Sequence, residues 1–244
     1  MGAAFCFLTR LPLGRVITVD GDDLVRAGVA FPLVGAAIGA LIGVVARLLV
    51  SPVGDWLAAV IALAAGALLT GALHLDALAD SADALGARTR ERALEIMRDH
   101  AIGSYGAIAI GLDLLLKAGA LSTLAAHGTV LRTTVAAGAL SRAAPVALAA
   151  ALPYARTEEG LGAPFTHTSR GRAVLATALA AGIAIAAAGM NGAIATAVVA
   201  ALVPLLWVGY RRWLGGFTGD TLGAAVELTE IAVLISAVAL LGTR

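Results

Sequence analysis

The fold is decided by one uncharged stretch, AVLATALAAGIAIAAAGMNGAIATAVVAALVPLLWVGY, which occupies residues 173–210. As a single α-helix it would be about 57 Å long, almost twice the ~30 Å hydrocarbon core of a bilayer. The chain must therefore fold back once within this stretch, and the residues that favour a turn are Gly189-Met190-Asn191-Gly192. The stretch predicts two consecutive transmembrane helices.

The whole chain shares this composition. Of its 244 residues, 60% are hydrophobic and only 14% are charged, and the net charge is +1. A soluble enzyme is excluded, because ordinary globular chains are only about 45–50% apolar. The balanced charge offers no basic surface for nucleic acid, and the single cysteine, Cys6, excludes an intramolecular disulfide and a Cys-based zinc cluster. We expect an all-α, polytopic membrane protein that forms one integral membrane domain over residues 1–244.

Five further stretches are long enough to cross a bilayer, which needs about 20 mostly apolar residues. They are residues 27–46, 56–73, 102–121, 133–152 and 221–241. The last three contain charges. Together with the two helices of the uncharged stretch, they predict a bundle of about seven transmembrane helices, rich in the Gly and Ala that allow close helix packing in lipid.

The arginines are distributed unevenly across this map. Twelve fall in the N-terminal segment and in the loops at residues 74–101, 153–172 and 211–220, whereas the opposite side has only three. Because cytoplasmic loops of membrane proteins carry an excess of Lys and Arg, we expect these four segments to be cytoplasmic.

Three aspartates follow the second predicted span. If the helix continues through them, Asp76, Asp80 and Asp83 stand at i, i+4 and i+7 and share one face. Three carboxylates on one face repel each other unless a cation lies between them. A solvated acidic helix end is the alternative, but the intervening residues are Ala, Leu and Ser rather than Lys or Arg. The pattern favours a divalent-metal site, and ligands that are all oxygen favour Mg²⁺.

The next segment, RERALEIMRDHAIGSY at residues 90–105, has an apolar stripe and predicts an amphipathic helix near the cytoplasmic interface. Gly103, Ser104 and Tyr105 then open the third span. Free N–H groups at a helix start can bind a phosphate, and Arg98 lies close by in the sequence. A plain helix start built from small residues is the alternative.

Charged residues inside predicted spans suggest function, because they are costly in a membrane. Asp113 and Lys117 stand at i, i+4 and neutralise each other in the simplest interpretation. Arg142 has no acidic residue in its own span, so its partner would be an aspartate of the stripe or a substrate phosphate. Glu227 and Glu230 follow a glycine-rich turn and predict a polar cavity. Together these residues favour Mg²⁺-assisted chemistry on a diphosphate.

At these residues the sequence resembles the cobalamin synthase family of adenosylcobinamide-GDP ribazoletransferases. The aspartate block HLDALADSADAL and the block EIMRDHAIGSYG carry most of the resemblance. Further matches run along nearly the whole chain, at residues 7–14, 31–35, 141–142, 153–162 and 215–224. The family usually has Gly where this chain has Ala77, which adds a methyl group near the aspartates and leaves each carboxylate in place.

The resemblance implies a multi-pass enzyme of the bacterial cytoplasmic (inner) membrane, with its active site facing the cytoplasm. It would join adenosylcobinamide-GDP to α-ribazole or α-ribazole 5′-phosphate, release GMP and require Mg²⁺. Asp76, Asp80 and Asp83 would hold the metal, and one of them or Asp99 would take the proton from the ribazole hydroxyl. Residues expected to contact substrate are Arg10, Arg98, Gly103, Ser104, Tyr105, Arg142, Thr218 and Asp220. Whether the chain forms homo-oligomers or associates with other cobalamin-assembly enzymes stays open.

Two other functions remain as alternatives. A transporter would use the charged residues inside the spans as an ion path, but the sequence has no internal repeat of the kind that transporters often show. A CDP-alcohol phosphotransferase would act on a lipid alcohol. The aspartate stripe is similar in layout to that of these enzymes, although the spacing D-x₃-D-x₂-D is shorter than theirs and the AR after their first aspartates is missing.

Overall fold

The computed structural model describes residues 1–11, 20–99, 101–157 and 160–242. Within these ranges the chain is built from helices and connecting loops. The α-helices are α1 Gly2–Leu8, α2 Gly21–Ala27, α3 Phe31–Val53, α4 Asp55–Thr70, α5 Leu73–Ala84, α6 Arg90–Ile96, α7 Ser104–Ala126, α8 Val130–Ala151, α9 Arg170–Ala188, α10 Met190–Trp213 and α11 Gly219–Ala239. The all-α architecture predicted from the composition is confirmed.

Six helical segments of the described chain are long and apolar enough to cross a membrane by themselves, and the pair α4 and α5 makes a seventh if it counts as one broken span. The predicted turn in the uncharged stretch is confirmed: α9 ends at Ala188, and Gly189 has a φ of 58° before α10 begins at Met190. A residue with a side chain is strained at that backbone angle, so glycine suits the turn.

One prediction about the spans is wrong. The second span does not run straight into the aspartates, because the chain bends by 91° between α4 and α5. Gly71 and Ala72 form the bend with φ angles of 65° and 56°. A Cβ atom on Gly71 would overlap the side chain of Arg10, and the backbone N–H of Arg10 donates to the Leu69 carbonyl at 2.7 Å. Arg10 therefore packs on the bend that redirects α5.

Helix α8 lies at the centre of the bundle, and most of its length is buried. Helix α3 packs against it through Gly35, Gly39 and Gly43, spaced four residues apart on one face. A Cβ on Gly35 would overlap the carbonyl of Gly138 in α8, and the reverse also holds. Small residues allow this close approach, which supplies the dispersion contacts that hold helices together in lipid.

The predicted amphipathic helix is shorter than expected. Helix α6 ends at Ile96, and Tyr105 belongs to α7 instead. Met97, from the predicted apolar stripe, is buried in a small cluster with Leu214. Arg90 ties this region to two other loops, since its guanidinium donates to the carbonyls of Leu214 at 2.6 Å and Ala155 at 2.8 Å. Three of the segments predicted to be cytoplasmic therefore contact one another.

Candidate functional site

Helix α5 presents the three aspartates of the stripe next to α11 and α7. Its apolar side packs against α11, where Ala77 lies so close to Gly223 that a Cβ on that glycine would overlap the alanine methyl group. Asp76 is exposed, whereas Asp80 and Asp83 are half-buried. The predicted common face exists within α5, although the helix starts at Leu73 and does not continue from α4.

Asp83 has a specific partner in the start of α7. Its carboxylate oxygens accept the N–H groups of Gly103 at 2.7 Å and Gly106 at 2.8 Å. A Cβ atom on either glycine would overlap this carboxylate. Asp83 therefore caps α7 from a distance of twenty residues in sequence, and its negative charge lies at the positive end of the helix dipole. This contact gives a physical reason for the two glycines of the GSYG motif.

The N–H groups that were expected to bind a phosphate at this helix start bond to Asp83 instead. Ser104 and Tyr105 lie exposed beside the cap, and a role for Gly103, Ser104 and Tyr105 in substrate binding stays a prediction. Asp99 is also exposed, and its carboxylate accepts the N–H of Ala101 at 3.1 Å.

The first turn of α11 carries a further carboxylate, Asp220, next to a capped helix start. Thr218 and Thr221 form a capping box in which each side chain accepts the backbone N–H of the other residue. Thr218 is fully buried, so its hydroxyl stabilises the helix start. Asp220 projects from this turn and forms an ion pair with Arg156 at 2.7 Å. Sequence reasoning counted Arg156 only as a cytoplasmic charge and missed it as a site residue.

Tyr154 lies beside this ion pair. Its ring packs on Phe217 with centroids 5.4 Å apart, and the backbones of the two residues form an isolated parallel bridge. Burial raises the pKa of the Tyr154 hydroxyl, and the positive charges of Arg156 and Arg98 oppose this shift. Arg98 is exposed, and its predicted contact with substrate stays a prediction.

Arg142 is buried in α8 and has a partner that the sequence did not predict. Its guanidinium donates to Glu230 in α11 and to the Ser141 hydroxyl, the latter at 2.9 Å. Of the two partners that the sequence left open, the described structure does not show an aspartate of the stripe, and a substrate phosphate stays a prediction. The Nε of Arg142 is buried and has no hydrogen-bond partner among the described residues.

Glu230 links Arg142 to a cluster of buried charges. Lys117 pairs with Asp113 at 3.1 Å, with Glu230 at 3.0 Å, and also with Glu227. The predicted neutralisation of Asp113 by Lys117 is confirmed, and the two glutamates join it. Burying these charges requires such pairing, since an isolated ion in a low-dielectric interior is very costly. The cluster borders a cavity of only about 40 Å³.

A larger cavity of about 120 Å³ lies between α5 and α11 on one side and α1, the start of α3 and the end of α8 on the other. The polar residues that line it are His74, Asp76, Arg142 and Asp220. Charged residues from three separate helices thus meet at one cavity. His74 is buried and also borders the charge cluster.

The donor chemistry of this region fits Mg²⁺, because the stripe provides only carboxylate oxygens. Among the residues that the structure describes, no three His, Cys, Asp or Glu side chains converge closely enough to hold a metal ion by themselves. Mg²⁺ is commonly bound by one or two carboxylates, with water and substrate phosphates completing its shell. Asp76 and Asp80, one helical turn apart, fit such a site, whereas Asp83 is engaged with α7.

The fold defines a polytopic helical membrane protein, and its candidate site is a cavity lined by carboxylates and a buried arginine. A family model described as Cobalamin-5-phosphate synthase matches residues 1–238. The chain therefore belongs to the cobalamin-5-phosphate synthase family, whose members are transferases of nucleotide-loop assembly in cobalamin biosynthesis.

Curated relatives agree with this assignment. Proteins named adenosylcobinamide-GDP ribazoletransferase from Escherichia coli O139:H28 (strain E24377A / ETEC), Shigella boydii serotype 18 (strain CDC 3083-94 / BS512) and Shigella sonnei (strain Ss046) are each 40% identical to this chain. In each case the match covers 96% of this chain and 97% of the relative. No solved structure matches the chain significantly.

Proposed function

We propose that this protein is a Mg²⁺-dependent transferase that joins adenosylcobinamide-GDP to α-ribazole or α-ribazole 5′-phosphate. The products would be adenosylcobalamin or its 5′-phosphate, together with GMP. The observation that carries the proposal is the 120 Å³ cavity, where Asp76, Arg142 and Asp220 from three different helices line one space. Family membership and the names of the relatives support the choice of substrates.

In this reaction a ribose hydroxyl of α-ribazole attacks the phosphorus bonded to the cobinamide side chain. A new P–O bond forms, the bond to the bridging oxygen of the diphosphate breaks, and GMP leaves with that oxygen. The hydroxyl proton passes to a carboxylate. Asp76 and Asp80 suit this role better than Asp83, whose oxygens already accept two N–H groups; Asp99 remains the fourth candidate.

The positive charges nearby would bind the diphosphate. Arg142 lines the cavity, and its buried Nε has no hydrogen-bond partner within the part of the chain that the structure describes. Arg156 is held beside the cavity by Asp220 and would contact the more exposed phosphate. A planar guanidinium can bind two phosphate oxygens at once, which suits both residues. Mg²⁺ on Asp76 and Asp80 would neutralise phosphate oxygens and stabilise the charge that develops on the leaving group.

The direct test is to incubate the purified protein in nanodiscs with Mg²⁺, adenosylcobinamide-GDP and α-ribazole, and to measure GMP and the corrinoid product by chromatography. We expect equal amounts of both products and none after the metal is chelated. Release of CMP from a CDP-linked lipid alcohol, with no GMP from the corrinoid substrate, would overturn the proposal in favour of the lipid enzyme.

We propose that the site faces the cytoplasmic side of the inner membrane, because each of the four arginine-rich segments contributes residues to the cavity. Thr157 lies exposed in one of these loops, and His127 lies exposed at the other end of α7 from the Asp83 cap. In a Cys6→Ser background, Thr157→Cys should react with an impermeant maleimide only after the cells are opened. His127→Cys should react in intact, outer-membrane-permeabilised cells. The reverse pattern would contradict this orientation.

A further inference from the structure

The cavity has an apolar side that the proposed chemistry does not use. Phe7, Phe31 and Phe165 come from α1, α3 and the 3₁₀ turn Ala163–His167, and each ring contacts the other two. Their centroids are 5.7–5.8 Å apart, with Phe7 and Phe31 stacked at an angle of 8°. All three rings border the cavity. Aromatic rings pack favourably against a further ring in offset-stacked or edge-to-face arrangements.

Aliphatic residues complete this side. Pro145 and Val146 near the end of α8 and Leu161 in the following loop line the cavity next to the rings. Val146 stands one helical turn after Arg142, so the charged and apolar sides are separated by about 5–6 Å along α8. The cavity therefore suits a molecule with an anionic or hydroxyl-bearing part and a flat apolar part a short distance away.

The base at the diphosphate of adenosylcobinamide-GDP is guanine, the base of α-ribazole is dimethylbenzimidazole, and these two bases differ in polarity. Guanine has donors and acceptors along its edge, and each of them would lose its bond to water against phenylalanine, leucine, valine and proline. Burying unpaired polar groups is costly and gives strong discrimination. The dimethylbenzimidazole of α-ribazole has two methyl groups at the corresponding edge and no hydrogen-bonding group there. The apolar side matches the second base.

We propose that the surface formed by Phe7, Phe31, Phe165, Val146 and Leu161 is the binding site for the dimethylbenzimidazole base of the acceptor. This inference rests on the proposed function. With the base on this surface, the ribose extends towards Asp76 and Asp220, so its hydroxyl reaches the charged side where the phosphate is transferred. The guanosine of the other substrate then lies outside this surface.

The test measures equilibrium binding of labelled α-ribazole and, separately, of labelled adenosylcobinamide-GDP to the protein in nanodiscs. Leu161→Asn is a suitable variant because Leu161 is 71% exposed and contributes little to the folded core. We expect it to raise the Kd for α-ribazole about fivefold, the loss for part of one leucine contact, and to leave the Kd for the corrinoid substrate within twofold. Phe7→Leu should do the same, and Leu85→Asn, equally exposed but outside the cavity, should change neither Kd.

A series of acceptors gives an independent measurement on the unmodified protein. Removing both methyl groups from the base should weaken binding about 15-fold, since each buried methyl contributes about fourfold. If Leu161→Asn and Phe7→Leu instead weaken binding of the corrinoid substrate, or change neither Kd, the inference is wrong. GMP release by the wild-type protein distinguishes failure of the proposed function from failure of this binding-site assignment. Absence of GMP refutes the proposed function, whereas GMP release with unchanged Kd values in the variants refutes only the assignment.

Discussion

The contact between Asp83 and the start of α7 makes a quantitative prediction. In Asp83→Asn, one of the two N–H groups of Gly103 and Gly106 loses its acceptor, because an amide offers one oxygen and one NH₂ group. The variant also removes the negative charge from the helix start. A hydrogen bond to a charged group contributes about 1.5–3 kcal/mol and the charge at the helix end about 0.3–1 kcal/mol. We therefore expect Asp83→Asn to destabilise the first turn of α7 by about 2 kcal/mol, a value in the lower part of this range because Asp83 is only half-buried.

Hydrogen exchange of the first turn of α7 is the appropriate assay, since this turn opens locally. A loss of about 2 kcal/mol lowers the protection of the Gly106 and Ala107 amides about 30-fold. Asp55→Asn is the matched control, because Asp55 lies in the first turn of α4 and its side chain caps no backbone group there. We expect the control to leave exchange in α7 unchanged. Unchanged exchange in Asp83→Asn would refute the capping role.

The same variant separates a cap from a metal ligand. If Asp83 acts on α7, Asp83→Asn lowers kcat while the Mg²⁺ concentration for half-maximal activity stays within twofold of the wild-type value. Asp76→Asn should instead raise that concentration at least tenfold, since it removes one of the two carboxylates proposed for the metal. A large shift in the Mg²⁺ requirement of Asp83→Asn would contradict this prediction and would indicate that Asp83 is a metal ligand, as expected from the sequence.

Three further predictions concern packing and charge. Gly223→Ala should lower stability by about 1–3 kcal/mol because its methyl meets Ala77, and Ala77→Gly should restore the Tm; a lack of rescue would mean that the clash lies elsewhere. Glu230→Gln should cost about 3–5 kcal/mol in detergent unfolding, since it leaves buried cations underneutralised, and a loss below 1 kcal/mol would contradict the charge network. Arg156→Lys should raise the KM for adenosylcobinamide-GDP about tenfold with little change for α-ribazole, and equal changes in both would argue against its phosphate contact.

The sequence was sufficient to predict the fold class, because the thickness of a bilayer sets how long an uncharged, apolar stretch must be to cross it. The turn at Gly189 followed from the same argument, since a helix of residues 173–210 is too long to span once. The 91° bend before α5 was not predictable in this way. Hydropathy continues through Gly71 and Ala72, and the Arg10 side chain that packs on the bend comes from a distant part of the chain.

Only part of the site could be predicted, because the sequence shows spacing within one helix but not the contacts between helices. The spacing of Asp76 and Asp80 places both on one face of any helix, so their grouping needed no tertiary information. The partner of Arg142 and the ion pair of Arg156 both depend on how α11 packs against other elements. Asp83 shows the same limit, since a carboxylate on an acidic stripe looks the same in sequence whether it binds a metal or caps a neighbouring helix.

The most direct test of the central claim is GMP release by Asp76→Asn compared with wild-type protein, at saturating Mg²⁺ and both substrates. Asp76 is exposed at the cavity wall, so the variant should fold with an unchanged Tm. We expect the rate to fall at least 100-fold, as removal of a group that takes a proton or holds the metal generally requires. A folded Asp76→Asn protein that releases GMP within twofold of the wild-type rate would show that this cavity is not the active site.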